Sequence, residues 1–435
     1  MDFELPGADD ERRIAVRKWI QANPKVTHRQ LAEAGYVAPH WPRPWGQDAD
    51  PIEQVIIDDE LVKAGIRRPV NPIGIGWAGP TLIYAGSQEQ KDRYLFPLLS
   101  GEEFWCQLFS EPGAGSDLAS LGTRAVRDGD EFVVNGQKIW TSGAQFAKFG
   151  ILIARTDPAV PKHKGISYFV CPMDLPGIEI RPIVEMTGGS TFNEVFFADV
   201  RLPAENLVGE LNDGWRLAKV TLGNERVSLS TGGVLWGSGP TALEFLDAMR
   251  AGGPVTDQTT RQRLAAIYIE HTVLELIRLR TLTARLKGEQ PGPEASIRKM
   301  MGDEHGQHVM ELARDLIGAA AMLTGGDGST VAAGASFGMS GPTARRPSDD
   351  RRIRPLDHAG WYDGYLFSKA LTIGGGTAEV QRNIIAERVL GLPHDLDANA
   401  AKRGPSRVKE DFHNQYGAFP GHFGCGNRGF RRNPG

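Results

Sequence analysis

Apolar and polar positions along the chain change their spacing twice, and the changes separate three kinds of structure. Residues 1–104 read as helical. Asp9 or Asp10 can cap a first helix whose apolar positions include Ile14, Trp19 and Ile20. A second helix runs from Pro51 to a stop at Gly65, with Ile52, Val55, Ile56 and Leu61 inward. Ser87-Gln88-Glu89-Gln90 carries the capping-box pattern and opens a helix through Tyr94 and Leu98. Residues 37–46, with Pro39, Pro42 and Pro44, form a connector. From 105 to 205 branched and aromatic residues take over. Residues 131–134 and 138–142 read as a hairpin turning at Asn135-Gly136, and 149–155, 166–171, 178–183 and 194–197 add strands. Helical spacing returns after 205. Asp213 can cap a helix to about Leu229. The stretches 261–287 and 296–323 carry long apolar stripes, and 361–371 and 378–390 follow. Long helices with one apolar face pack as an antiparallel bundle. Residues 324–360 interrupt it with Gly, Ser, Pro and Arg and read as an insertion or loop, while 394–435 read as a disordered tail. Pattern alone therefore gives an α+β protein with domains at 1–104, 105–205 and 206–393.

Composition narrows the function classes. The chain's 435 residues exceed what one core usually holds. A net charge of -4 gives no reason to expect nucleic acid as a partner. Cys106, Cys171 and Cys425 lie far apart without a C-x-x-C pair, which points to a reduced compartment and to neither a disulfide framework nor a metal site. The N-terminus lacks a signal-peptide core and no apolar run is long enough to span a membrane, so the expected location is the cytoplasm. No internal repeat is visible.

The chemistry concentrates in two segments of the middle region. Residues 109–117, Phe-Ser-Glu-Pro-Gly-Ala-Gly-Ser-Asp, place backbone N–H groups and the hydroxyls of Ser110 and Ser116 on a Gly/Pro-shaped loop. Residues 135–143, Asn-Gly-Gln-Lys-Ile-Trp-Thr-Ser-Gly, follow with Trp140 and Ser142. An indole is a flat apolar surface, and a hydroxyl two residues on can bond the edge of a ring lying upon it. Singly, a strand tryptophan is core and Pro-Gly-x-Gly is a turn; in order, they describe a seat for a flat cofactor.

Both segments resemble signature stretches of the acyl-CoA dehydrogenases. So do 196–209, Phe-Phe-Ala-Asp-Val-Arg-Leu-Pro-Ala-Glu-Asn-Leu-Val-Gly, and 374–383, Gly-Gly-Gly-Thr-Ala-Glu-Val-Gln-Arg-Asn. The resemblance reaches to about Pro393. It implies a helical domain, a β domain and a four-helix bundle, with FAD as cofactor, an acyl-CoA thioester as substrate and an electron-transfer flavoprotein as acceptor. Trp140 then packs on the isoalloxazine and Ser142 reaches its reactive nitrogen. Phe109 and Ser110 meet the pyrimidine end, with Gln107 contributing nearby. Ser116 touches the pantetheine arm, and Thr377 and Glu379 lie near the nucleotide end of FAD.

Dehydrogenation at Cα–Cβ needs a base for the α-proton and an acceptor for the β-hydrogen. Many members of the family carry the base as a glutamate directly before the Gly-Thr of the C-terminal motif. That position is Gly375 here. Others carry it on an earlier helix before an arginine, which gives Glu225 as candidate base and Arg226 as a residue that orients it or meets CoA phosphates. A solvated Glu-Arg pair is the plain alternative. The chain also departs from the family. Residues 249–263 and 285–295 lack the arginine and the phenylalanine three residues later that homotetrameric members lend to a neighbour's FAD, and Leu316-Ile317-Gly318-Ala319-Ala320 lacks the expected glutamine. The resemblance thus implies either a homotetramer or a heterotetramer, as in actinobacterial members acting on bulky acyl groups, whose related subunit completes the FAD site. Two other readings stay open: a catalytically inactive partner subunit, and an oxygen-using flavin enzyme on the same fold.

Overall fold

A computed structural model describes residues 6–229, 234–235, 240–286, 292–319 and 358–393. The expected insertion, apart from residues 358–360, and the expected tail from 394 onward lie outside these residues.

Helix α1 (Glu11–Ala22) is capped by Asp10, whose side chain accepts the N–H of Arg12. Its inner face differs from the expected one. Ile14 is exposed, and Arg13 is buried with Val16. The reason lies on α3 (Pro51–Lys63), where Asp59 and Glu60 meet the Arg13 guanidinium at 2.5 and 2.6 Å. On α3 itself Ile56, Ile57 and Leu61 are buried, whereas Ile52 and Val55 are only half-buried. A short α2 (His28–Glu33), opened by a capping box at Thr27 and Gln30, lies within the stretch that had no assigned element. A π-helical turn (Gly74–Ala78) runs into α4 (Gly79–Ala85), and α5 (Gln88–Ser100) starts at the Ser87–Gln90 capping box.

The middle region is one eight-stranded sheet. Its strands are β1 (Trp105–Leu108), β2 (Arg124–Asp128), β3 (Glu131–Ser142), β4 (Phe149–Arg155), β5 (Ile166–Pro172), β6 (Ile178–Pro182), β7 (Phe192–Pro203) and β8 (Leu207–Val208), in the order β6-β7-β3-β2-β4-β5-β8. Strand β1 lies parallel along the first half of β4. The Asn135-Gly136 hairpin is not there, because 131–142 is a single strand. The turn falls earlier, between β2 and β3 at Gly129, whose φ is +62°. Asn135 instead braces a bulge on β7. Its side-chain amide exchanges hydrogen bonds of 2.9 Å with the carboxylate and the N–H of Asp199. Both faces of the sheet's centre are covered, so β4 and β5 read as unbroken apolar runs. Ile151, Ile153, Tyr168 and Val170 join the helical N-terminal core, and Leu152, Ala154, Phe169 and Cys171 join a second core on the opposite face.

Helices α6 (Gly214–Leu229), α7 (Ala242–Ala251), α8 (Gln258–Leu286), α9 (Ala295–Ile317), α10 (His358–Ser368) and α11 (Ala378–Ile384) follow, the last continuing as a π-helical turn (Ile385–Val389). The sequence pattern passed over α7. A third core, with Phe245, Ile267, Val309, Leu312, Trp361 and Leu371, ties α7 to α10 together. Helix α6 packs against β5, the π-helical turn Gly74–Ala78, α4 and α9. It is the element that carries residues from the sheet towards the bundle. The described helices include none long and apolar enough to cross a membrane.

Candidate active site

Two segments of the middle region are built as one unit. The β3–β7 ladder slips between Lys138 and Thr141, where three residues of β3 face two of β7. The bulge turns Trp140 to φ +60°, a backbone conformation that is strained for a bulky side chain. It leaves the indole 58% exposed, with its ring edge-on to Phe192 at 6.0 Å. Phe192 in turn packs against the bundle core. Ile139 in the bulge donates its N–H to the Ser110 carbonyl at 2.9 Å, so the 109–117 loop docks on the strand beside Trp140.

A buried ion pair holds that docking. Lys138 is 0% exposed, and its Nζ donates to the Phe109 carbonyl at 3.0 Å and to Glu111 Oε1 at 2.7 Å. Glu111 also accepts the N–H groups of Gly122 and Thr123 at 2.6 and 3.0 Å. Burial dominates at the lysine and lowers its pKa to about 8 despite the carboxylate beside it. Burial also pushes the Glu111 carboxyl up, but the Lys138 ammonium and the donors of Gly122 and Thr123 outweigh it and leave it below its ordinary value. Sequence reasoning missed this pair, because a lysine between two strand residues reads as an outward polar position.

Among the described residues, the buried polar atoms without a hydrogen-bond partner include Gln107 Nε2 on β1, Thr141 Oγ1 beside Trp140 and Asn193 Oδ1 opposite Thr141 on β7, with others elsewhere in the fold, such as His305 Nε2 and Gln381 Oε1. Such atoms are uncommon in a folded chain and mark a place where a ligand can supply the missing partner. The exposed indole with half-buried Ser110, Ser142 and Gln107 offers an aromatic, polar-edged surface that fits the ring end of a flavin, whereas Thr141 and Asn193 are fully buried beneath it. Phe109 contributes only its backbone. Its ring is buried, edge-on to Tyr168 at 6.0 Å. Ser116 is exposed at the loop's rim, next to Asp117, which is paired with Lys162 at 2.7 Å.

Glu225 lies on α6 and is 6% exposed, which sets aside the solvated Glu-Arg pair for this residue. One turn earlier on the same helix, the Thr221 hydroxyl meets Tyr168 Oη at 3.0 Å and Thr81 Oγ1 at 2.9 Å. The Arg226 side chain lies outside the described residues.

The C-terminal motif forms a glycine loop before α11. Gly375 has φ +66° and Gly376 φ +86°, values that strain any side chain. Position 375 is therefore suited to glycine rather than to a catalytic glutamate. Lys299 of α9, 1% exposed, holds the loop from below: its Nζ donates to the carbonyls of Leu371, Gly374 and Gly376 at 3.2, 2.7 and 2.8 Å and pairs with Asp303. Sequence reasoning missed Lys299 too. Thr377 caps α11 by accepting the Val380 N–H. Glu379 points outward, its side chain 76% exposed and 3.6 Å from Arg382. Of the residues expected at the nucleotide end, Thr377 turns its side chain to the start of α11 and Glu379 faces the surface.

The β domain carries an exposed indole in a strand bulge, and α6, the first helix after the sheet, carries the buried Glu225. The acyl-CoA dehydrogenase N-terminal, middle and C-terminal domain models match residues 8–102, 106–200 and 212–390. The chain belongs to the acyl-CoA dehydrogenases, flavoprotein oxidoreductases. It is 41% identical over 390 residues to the acyl-CoA dehydrogenase FadE34 of Mycobacterium tuberculosis, a match that covers 90% of this chain and 49% of that protein. The chain thus spans about half the length of FadE34. It is 37% identical over 391 residues to the acyl-CoA dehydrogenase IpdE1 of the same organism, covering 90% and 91% of the two chains. Among solved structures it is similar to the Tcur3481-Tcur3483 steroid ACAD (TM-score 0.69, 31% identity, 91% of this chain and 100% of that one). It is also similar to the ChsE4-ChsE5 complex from Mycobacterium tuberculosis (TM-score 0.68, 30% identity, with the same coverage of 91% and 100%).

Proposed function

We propose that this chain removes hydrogen across the Cα–Cβ bond of an acyl-CoA thioester, with Glu225 as the base for the α-proton. The observation that carries the reading is the pairing of a buried carboxylate on α6 with a left-handed Gly375 at the alternative base position. An enclosed carboxylate loses water from its charge, and a bound acyl chain removes more, which strengthens it as a base. FAD supplies the acceptor for the β-hydrogen when bound. Trp140 provides the surface for its ring. Ser142, Ser110 and Gln107 bond the ring's edges, and Phe109 shapes that loop through its backbone. Thr377 and Glu379 are assigned to the nucleotide end. Ser116, exposed on the loop, meets the pantetheine arm, and Arg226 is assigned to orienting Glu225 or binding CoA phosphate.

The substrate class we assign is a bulky acyl group. The steroid ACAD at 31% identity supports this. A heterotetramer with a related dehydrogenase subunit fits the two-component composition of both solved relatives and the missing arginine and phenylalanine in the bundle. An electron-transfer flavoprotein as acceptor and a cytoplasmic location complete the reading. That same missing pair favours a second reading, an inactive partner subunit.

The test is anaerobic mixing of the purified chain, alone and with a co-purified related subunit, with acyl-CoA thioesters of linear and polycyclic acids. The expected result is loss of oxidised-flavin absorbance with the polycyclic thioester. A chain that holds FAD in neither form, or is never reduced, is the inactive subunit. Rapid reoxidation of the reduced flavin by air, with hydrogen peroxide as product, would instead make it an oxygen-using enzyme.

A further inference from the structure

Three hydroxyls sit together where apolar side chains would fill the same space. Tyr168 of β5, Thr221 of α6 and Thr81 of α4 are each 0% exposed. Their surroundings are Leu82, Phe109, Leu217 and Ala218, all buried. Tyr168 Oη lies 3.0 Å from Thr221 Oγ1, which lies 2.9 Å from Thr81 Oγ1. Thr221 also reaches the Leu217 carbonyl at 3.1 Å, and Thr81 the Trp77 carbonyl at 2.9 Å. Each hydroxyl has one proton to give, so the three protons are shared among these four contacts and every oxygen is bonded. Thr221 is the link between the other two: its loss takes the hydroxyl partner from Tyr168, whereas loss of Tyr168 or Thr81 leaves Thr221 with the Leu217 carbonyl and one remaining hydroxyl.

Its position gives it a use. Thr221 precedes Glu225 by four residues, so the two side chains lie one turn apart on the same face of α6. At the other end the Tyr168 ring receives Phe109 edge-on at 6.0 Å and 89°. Phe109 belongs to the loop whose carbonyls are taken by Lys138 and Ile139. A continuous path of packed and bonded groups thus runs from the loop beside Trp140, through Phe109, Tyr168 and Thr221, to the helix that bears Glu225.

We infer that Tyr168, Thr221 and Thr81 are positioning residues that fix the separation between the flavin-edge loop and the Glu225 carboxylate. The inference rests on the reading of Glu225 as base. A base held slightly out of line loses rate steeply while substrate binding is little changed, because the reaction needs close alignment of the base, the α-carbon and the acceptor. Phenylalanine at 168 and valine at 81 and 221 would satisfy the packing without hydroxyls.

The test uses Tyr168→Phe, which keeps the ring and its contact with Phe109, and Thr221→Val, which keeps the shape of the side chain. Hydrogen–deuterium exchange of the flavin-free protein is measured over residues 217–229 and over 149–155. The inference expects exchange in 217–229 to rise about tenfold in both variants, with 149–155 unchanged. Stopped-flow anaerobic reduction of the FAD-loaded protein gives the second readout. The limiting rate falls about tenfold while the half-saturating substrate concentration stays within about twofold. Unchanged exchange over 217–229, or an unchanged limiting rate, overturns it. A fall in rate matched by an equal rise in half-saturation also overturns it, since that is loss of general binding. Glu225→Gln is run alongside. If that variant is reduced at the wild-type rate, the base assignment fails. If it is inert while Tyr168→Phe matches wild type, the bridge alone fails. The exchange arm is read without flavin, so it decides the bridge even for a chain that never turns over.

Discussion

Two buried lysines brace two of the candidate motifs, and they do so differently. Lys138 has one backbone carbonyl and one carboxylate, Glu111, which is itself held by two N–H groups. Lys299 has three backbone carbonyls and Asp303. The first fastens a side-chain platform, because it locks the loop that abuts the Trp140 bulge. The second fastens a bare backbone, because the loop it holds is all glycine from 374 to 376. A platform can be loosened by proton loss at one ion pair. The glycine loop has no side chains of its own to restrain it, so its shape depends on the lysine beneath and on Gln381, whose amide reaches the carbonyls of Gly375 and Gly376.

The comparison gives an order of effects. Lys299→Met leaves three carbonyls and the buried Asp303 carboxylate without their cation. It is expected to lower stability by about 3–5 kcal/mol, the usual result of breaking a buried pair from one side. Chemical denaturation measures it, and a loss under about 1 kcal/mol would show that the loop is held elsewhere. Lys138→Met is expected to cost about 2–3 kcal/mol, because Glu111 keeps its two N–H donors. It should also release FAD, and adding Glu111→Gln should recover part of the stability but not the cofactor. Recovery of both would mean that the pair does not shape the flavin edge.

Proton loss gives a further test of the Lys138 pair. Lys138 gives up its proton near pH 8, whereas an unburied lysine keeps it to 10.5. Between those values the unfolded chain binds more protons than the folded one, so this titration raises global stability as pH rises. Locally it removes the charge that holds the Phe109 carbonyl and Glu111. FAD retention is therefore expected to fall through pH 8 while the unfolding midpoint of flavin-free protein does not fall. Retention that stays flat to pH 10, or a midpoint that drops in step with it, contradicts the assignment. The smallest effect belongs to Gly375→Ala, where the +66° φ costs a side chain about 1 kcal/mol. A stabilising change there would show that the loop is not held left-handed in solution.

The sequence made much of this legible wherever a local rule operates. The Ser87–Gln90 capping box, the strands 149–155 and 166–171, and the long bundle helices all follow from near-neighbour patterns, and all are present. Failures came where a distant partner decides. Asn135-Gly136 has the composition of a turn, but its side chain is claimed by Asp199 on β7. Arg13 goes inward and Ile14 outward because α3 offers two carboxylates. Within the candidate site, motif position pointed to Glu225 and Trp140, which lie respectively buried on α6 and exposed in the β3 bulge. The Phe109 ring, Lys138, Lys299 and the hydroxyls of Thr81, Tyr168 and Thr221 were not legible in the sequence. Each owes its role to a neighbour at least 27 residues away in the chain, as Lys138 does to Glu111, and nothing in the local pattern marks it.

The most direct measurement is the anaerobic rate of flavin reduction by a polycyclic acyl-CoA in Glu225→Gln, compared with wild type at equal FAD content. The account expects the variant to keep its fold and its FAD and to lose reduction by at least about a thousandfold. Reduction at the wild-type rate would place the base elsewhere and contradict the account.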